Sequence, residues 1–366
     1  PSFVTLLPMT YRFEYRRYDL PLRVAVRTAH GIWTTRGGVM VRIENDQRIA
    51  GFGEAAPISW FGTETVDEIE DACRELGPMV DRERLLAVPE RLGCLRNAIH
   101  AALNEIDGRA TANALTTSGE PEAGADSRRD HVPADPDFRS IAALLPAGSA
   151  AIPEIALKAE AGFRIFKWKV GIADLADELA LLDDLCAALP AGAKLRLDAN
   201  GAWDRRRAER CLERCAERPV EFLEQPIARD ARGAADLLLG LAGDFPTPLA
   251  LDESLVGVAD IERWLGAGWP GVYVVKLSLL GDVERVMGRL AKANAHVVFS
   301  SALETAIGAR AALRQAFTWR GERRALGFGV WPLFADARFN GPTAVPFLRR
   351  EDVERIDPEA VWNALG

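Results

Sequence analysis

The sequence predicts an α/β fold in which a closed β/α barrel follows a smaller α+β module. Apolar, β-type segments recur every 24 to 29 residues over most of the stretch from 140 to 329, with amphipathic helical patterns between them. Eight such segments in roughly two hundred residues suit a barrel better than an open sheet. No glycine-rich dinucleotide fingerprint follows the first segment, which weighs against a Rossmann arrangement. The first hundred or so residues read differently, strands first and helices after, which marks a separate module.

Taken in order, YRFEYRRYDLPL, GGVMVRIEND and RIAGFGEAAP are β-rich and punctuated by turn residues. TVDEIEDACRELGPMV and LRNAIHAALNEIDGRA are helical patterns, the second with Gly108 near its expected end. GFGE (51–54) contains a GxG but opens no helix, so it is a weak nucleotide signal. The α+β module is expected over 1–110, and 111–139, rich in small, polar, Gly and Pro residues, as a flexible connection. The barrel is expected over 140–335, with strands at SIAALL (140–145), RIFKWK (164–169), KLRLD (194–198), VEFLE (220–224), PLALD (248–252), VYVVK (272–276), HVVFS (296–300) and ALGFG (325–329). Residues 336–366 form a C-terminal segment expected to pack back on the first module.

The composition, 48% apolar and 27% charged, is that of an ordinary globular protein, and a formal charge of −8 argues against nucleic acid or an anionic membrane as partner. No apolar run reaches the roughly 20 residues of a membrane span, and no signal peptide is expected at the N-terminus. Cys73, Cys94, Cys186, Cys211 and Cys215 show no CxxC or disulfide spacing, which points to a reducing compartment, by default the cytoplasm. Cys211 and Cys215, one helical turn apart, read as packing residues rather than metal ligands. Monomer and homo-oligomer are both open.

The chemistry lies at the ends of the apolar segments. KLRLD ends in Asp198, VEFLE in Glu224 and PLALD in Asp252, at spacings of 26 and 28 residues, one βα unit apiece. In a barrel these ends converge on one mouth. Each acid alone is as well explained as a loop or helix-cap residue; three in one register are not. Their mutual repulsion calls for a divalent cation, and oxygen-only ligands favour Mg²⁺, or Mn²⁺. Lys169 ends the strand before Asp198 and Lys276 the strand after Asp252, so the two lysines flank the acids from opposite sides. That arrangement suits proton abstraction next to a metal-held carboxylate of a small anionic substrate. Lys167 shares a face with Lys169 and is expected to lower the latter's proton affinity. Arg196 shares a face with Asp198 and is expected to pair with the acids.

KWK (167–169), LDAN (197–200), EQP (224–226), DES (252–254) and Lys276 together resemble the enolase superfamily, in its muconate-lactonizing-enzyme-like branch. The resemblance implies a (β/α)7β modified TIM barrel with an N-terminal α+β capping domain, Asp198, Glu224 and Asp252 as Mg²⁺ ligands, and Lys169 and Lys276 as paired acid/base lysines. It also implies Lys167 as their electrostatic partner and Asn200 as a polar residue beside the site. FSSALETAIGARAAL (299–313), ALGFGVWPLF (325–334), TAHGIWTTRGG (28–38) and GFGEAAPISWFGTE (51–64) resemble, more narrowly, the o-succinylbenzoate synthase family. That family dehydrates 2-succinyl-6-hydroxy-2,4-cyclohexadiene-1-carboxylate on the route to menaquinone or phylloquinone. Under it, Trp33, Trp60 and Phe61 would wall the substrate, and Ser300 and Ser301 would donate to a succinyl carboxylate or serve as turn caps. Two enzyme rivals in the same superfamily are an N-succinylamino-acid racemase and a dipeptide epimerase, the second weakened because LGFGVWPLFAD holds no DxD at the last strand. A non-catalytic carboxylate-binding barrel is the rival of another class.

Overall fold

A computed structural model describes residues 10–28, 31–117, 138–343 and 345–366. The chain starts with β1 (Thr10–Thr28), β2 (Gly31–Glu44) and β3 (Ala50–Ala55), followed by α1 (Val66–Leu76), β4 (Met79–Asp81), α2 (Arg82–Leu86) and α3 (Gly93–Thr117). The four strands form one antiparallel sheet in the order β3-β2-β1-β4. α1 begins at a capping box between Thr65 and Glu68 and stops at Gly77 (φ 74°) and Pro78. The chain then turns into β4, a strand the helical pattern TVDEIEDACRELGPMV had absorbed.

α3 lies across β3, and GFGE explains how. A Cβ on Gly51 or Gly53 would sit 1.9 Å from the carbonyl oxygen of Ala102 or Ala98, so only glycine lets the helix approach this closely. The GxG is a packing device. α3 also runs past Gly108 to Thr117, further than expected; an exposed glycine lowers helix propensity by only about 1 kcal/mol, too little to end a helix of this length. Most of the connection expected at 111–139, residues 118–137, lies outside the described residues.

Beyond β5 (Phe138–Ser140), β6 (Ala143–Leu144) opens the barrel, then α4 (Ala151–Glu160), β7 (Ile165–Lys169), α5 (Leu175–Ala188), β8 (Lys194–Asp198), α6 (Arg205–Cys215), β9 (Val220–Glu224) and α7 (Ala234–Asp244). β10 (Leu249–Leu251), α8 (Val258–Gly266), β11 (Val272–Val275), α9 (Val283–Lys292), β12 (His296–Phe299) and α10 (Ala306–Thr318) complete it. The strands from β6 to β12 pair in chain order, all parallel. The eighth expected strand, ALGFG, is reduced to parallel bridges of Leu326 with Ile141 and of Gly327 with Ser300, which join the two edges and close the ring. Leu195, Leu197, Leu223, Leu249 and Leu251 are buried, as expected for strands walled in by helices. Cys211 and Cys215 sit buried on α6 with their sulfurs 4.0 Å apart, and all five cysteines are free.

The two layers are joined by polar contacts. Glu54, at the end of β3, accepts from the backbone N–H groups of Thr305 (2.9 Å) and Gly308 (2.8 Å), and so caps the N-terminus of α10 from the other module. Arg36 of β2 is buried and donates to Pro57 O (2.7 Å), Ala56 O (2.5 Å), Ala302 O (3.2 Å) and Leu303 O (3.1 Å). β13 (Phe347–Arg349), α11 (Arg350–Glu354) and α12 (Pro358–Asn363) end the chain. β13 pairs with β5, and Trp362 of α12 lies under the Arg16 guanidinium at 4.4 Å, so the C-terminal segment touches both modules. No described helix is long and apolar enough to cross a membrane.

Candidate active site

Strand register brings the expected residues together. Lys169 is paired with Asp198 across β7 and β8, and Asp198 with Glu224 across β8 and β9. Lys167, two residues back on the same face, puts its Nζ 2.8 Å from Asp198 Oδ2 and 2.8 Å from Glu224 Oε1. Lys276, just past β11, forms an ion pair with Asp252. All three acids are buried.

The electrostatics follow from that crowding. Burial and the neighbouring Asp198 hold the Glu224 carboxyl well above the usual range, with Lys167 pulling the other way. Burial also works against a charged Asp198, but Lys167, then Lys169 and Lys276, bring it below its usual value. Burial opposes the charge on Lys167 too, and Asp198, Glu224 and Asp252 together overcome it, so its pKa is raised. The Lys167 charge is therefore engaged with the acids. Arg196 pairs with an acid outside the expected three: its Nε donates to Glu221 Oε2 at 2.7 Å, and it lies 4.9 Å from the Phe222 ring.

Two neighbours had no signal of their own in the sequence. Glu253, next to Asp252, is buried with its pKa pushed up to about 7 by burial, Asp252 and Asp198. It accepts from Asn200 Nδ2 at 2.9 Å, and Asn200 stands at φ 44°, its own N–H donating to Asp198 (3.2 Å). Asn200 thus links two strand ends from a left-handed position that asparagine tolerates better than most residues. Gln225 is fully buried; its Oε1 accepts from the N–H groups of Asp252 (3.0 Å) and Ser254 (3.2 Å), fixing the DES turn.

The donor set fits a hard divalent cation: carboxylate oxygens only, buried, on successive strand ends. Among the described residues, no three Asp, Glu, His or Cys side chains are drawn close enough to grip an ion as they stand. The Lys167 and Lys276 ammonium groups supply the countercharge in that arrangement. Glu253 Oε2 and Asn200 Oδ1 are buried acceptors without a hydrogen bond, further electron-rich atoms beside the acids.

Of the expected substrate-binding residues, Trp33 and Trp60 pack edge to face on one another at 5.9 Å, and Trp60 on Phe61 at 5.7 Å. It is Phe61 that reaches the barrel, its ring centroid 4.6 Å from Lys276 Nζ. Ser301 is buried with its hydroxyl donating to Glu304 Oε2 (3.1 Å) and accepting from Leu303 N–H (2.9 Å), a turn-stabilising use. Ser300 donates to Gly327 O at 3.3 Å, on the closing bridge. A cavity of about 410 Å³ lies elsewhere, between α3, α9 and α10, and none of the strand-end acids or lysines lines it.

An enolase C-terminal domain-like family model matches residues 152–346, more than half of the chain. The chain belongs to that family, within the enolase superfamily. It is 37% identical over 324 residues to an o-succinylbenzoate synthase of Thermosynechococcus vestitus, covering 87% of this chain and 92% of that one. The crystal structure of o-succinylbenzoate synthase from Thermosynechococcus elongatus BP-1, complexed with Mg in the active site, superposes with a TM-score of 0.74 at 33% identity over 96% of this chain and 99% of that one. A dipeptide epimerase from Enterococcus faecalis V583 shares the fold, with a TM-score of 0.77 at 20% identity over 94% of this chain and 97% of that one. The superfamily member therefore has the modified TIM barrel and a capping module, and its relatives are enzymes.

The loop after β12 carries a testable titration. Glu304 is fully buried, and burial, then the nearby Glu54, pushes its pKa from 4.5 up to about 7. Between these values the folded protein keeps a proton that the unfolded chain releases, so stability falls as pH rises through this window. Glu304→Gln, which cannot ionise, is expected to remove up to roughly 3 kcal/mol of that loss. Urea midpoints should then match wild type near pH 4.5 and exceed it at pH 8; an unaltered pH dependence would contradict the assignment.

Proposed function

We propose that the protein is an o-succinylbenzoate synthase that dehydrates 2-succinyl-6-hydroxy-2,4-cyclohexadiene-1-carboxylate to 2-succinylbenzoate on the route to menaquinone or phylloquinone. The observation that carries this reading is the 37% identity to such a synthase along 87% of the chain, with three lysines and three carboxylates together at the barrel mouth. Asp198, Glu224 and Asp252 would hold Mg²⁺, or Mn²⁺. Bound there, the ion supplies the positive charge that acidifies the carbon next to a substrate carboxylate and offsets the enediolate's charge.

The remaining work falls to the chain. Lys169 takes the α-proton as general base, and the same ammonium returns it to the departing hydroxide, so water leaves on that face. Lys276 presents its ammonium group on the opposite face. Lys167 keeps Asp198 charged and holds Asp198 and Glu224 in place. Gln225 and Asn200 orient the turns that carry Asp252 and Asp198. Aromatisation of the ring drives the elimination, which leaves formation of the enediolate as the step the site must assist.

Purified protein given the cyclohexadiene substrate and Mg²⁺ is expected to form the aromatic product, detectable by its ultraviolet absorbance. Excess chelator should abolish turnover and added Mg²⁺ restore it; turnover untouched by the chelator would remove the metal from the reading. Exchange of deuterium into the α-carbon of N-succinylamino acids, without any dehydration, would favour the racemase.

A further inference from the structure

We propose that Phe61 is a positioning residue for Lys276, and that Arg229 fastens it there. The inference rests on Lys276 being a site lysine, as read above. Lys276 stands between two fixed partners, the Asp252 carboxylate and the Phe61 ring at 4.6 Å, and its side chain is only 11% exposed. A cation held over a ring face and shielded from water has few alternative rotamers. Phe61 is itself 2% exposed, on a short 3-10 turn (Ser59–Phe61) of the capping module, so its ring covers the ammonium from the roof of the site.

That roof is held from both ends. At its start, Arg36 ties the carbonyls of Ala56 and Pro57 to those of Ala302 and Leu303. At its far end, Arg229, from the loop after β9, donates to Phe61 O and, at 3.4 Å, to Glu253 O. The same guanidinium therefore bridges the residue that covers Lys276 and the residue next to Asp252. Gly62 makes this possible. It lies at φ 104°, and a Cβ there would come within 2.8 Å of Arg229 Nη1. Nothing in the sequence marks Arg229, because its partners lie 168 and 24 residues away.

The test uses Phe61→Leu, Arg229→Gln and the double variant, in the full-length protein with Mg²⁺ present. The first readout is chemical and independent of the reaction: the rate at which acetic anhydride acetylates Lys276, followed by mass spectrometry against exposed Lys194. Both single variants are expected to raise the Lys276 rate several-fold, with the double variant little beyond either, since the two changes remove one arrangement. The second readout is turnover: kcat is expected to fall about 10- to 30-fold in each, the range of a desolvated cation–π contact, with KM within about twofold of wild type. Should Phe61→Leu fold poorly, Arg229→Gln, a change at the surface, carries the test. An unchanged Lys276 acetylation rate in the folded variants overturns the proposal, and so does a raised rate with undiminished kcat. If wild type dehydrates nothing, the proposed reaction fails, while the acetylation rates still decide whether Phe61 and Arg229 hold Lys276.

Discussion

Lys169→Ala is expected to lower turnover by between about a hundredfold and ~10⁴-fold, the usual contribution of a positioned general base, while Mg²⁺ and product still bind. Lys169 ends β7 beside Asp198, and without it Lys167, at 2.8 Å to Asp198 and to Glu224, and Lys276, paired with Asp252, still stand among the acids. Two of the three lysines thus remain paired with the carboxylates, so turnover should fall far more than binding. Lys276→Ala should behave differently in one respect. It too should lose turnover, but Asp252 loses its cation, and Mg²⁺ affinity is expected to rise. Isothermal titration with Mg²⁺ and single-turnover kinetics on the two variants check both points. Wild-type rates in either variant would remove that lysine from the mechanism, and parallel loss of Mg²⁺ binding in Lys169→Ala would make it part of the metal site instead.

What could be read ahead of the structure follows a physical divide. Lys169, Asp198, Glu224, Asp252 and Lys276 were legible because a parallel barrel converts a position in each βα repeat into a position at the mouth. The same strand arithmetic placed Lys167 on their face and left its partner open; only register and side-chain reach show it lodged between Asp198 and Glu224. Arg196 went to Glu221 because that acid, on the neighbouring strand, lies nearer its end of the barrel. The capping module was legible as strands and helices, but its joints were not. Glu54 on α10, Arg36 on the 302–303 carbonyls and Phe61 on Lys276 join residues roughly two to three hundred positions apart, each by one side chain without a periodic pattern. The GxG at 51–53 shows the converse, a pattern with several meanings that the packed helix reduces to one.

Lys167→Met is expected to destabilise the protein by about 3–5 kcal/mol at neutral pH, the usual consequence of removing one partner from a buried ion network. The side chain of Lys167 is 18% exposed and those of its partners Asp198 and Glu224 are 10% and 1% exposed, so solvent cannot replace its charge. Without it two buried carboxylates face one another, and burial with Asp198 already favours the protonated form of Glu224. The sign with pH follows. A carboxyl whose folded pKa is raised takes up a proton on folding, which favours the folded state at low pH and is lost as pH rises through the folded value. With Lys167 gone, the value for Glu224 rises further, so the deficit should shrink on acidification through the carboxylate range and widen towards neutrality. Mg²⁺ should reverse part of it, since an ion bound only to the folded state adds about 2.7 kcal/mol at a hundredfold excess over its Kd. Wild type, whose lysine already neutralises the acids, should gain less from the same Mg²⁺. Urea midpoints at pH 5 and 7.5, with and without Mg²⁺, test all three terms: a variant as stable as wild type at pH 7.5 without metal would mean that Lys167 does not hold the acids together.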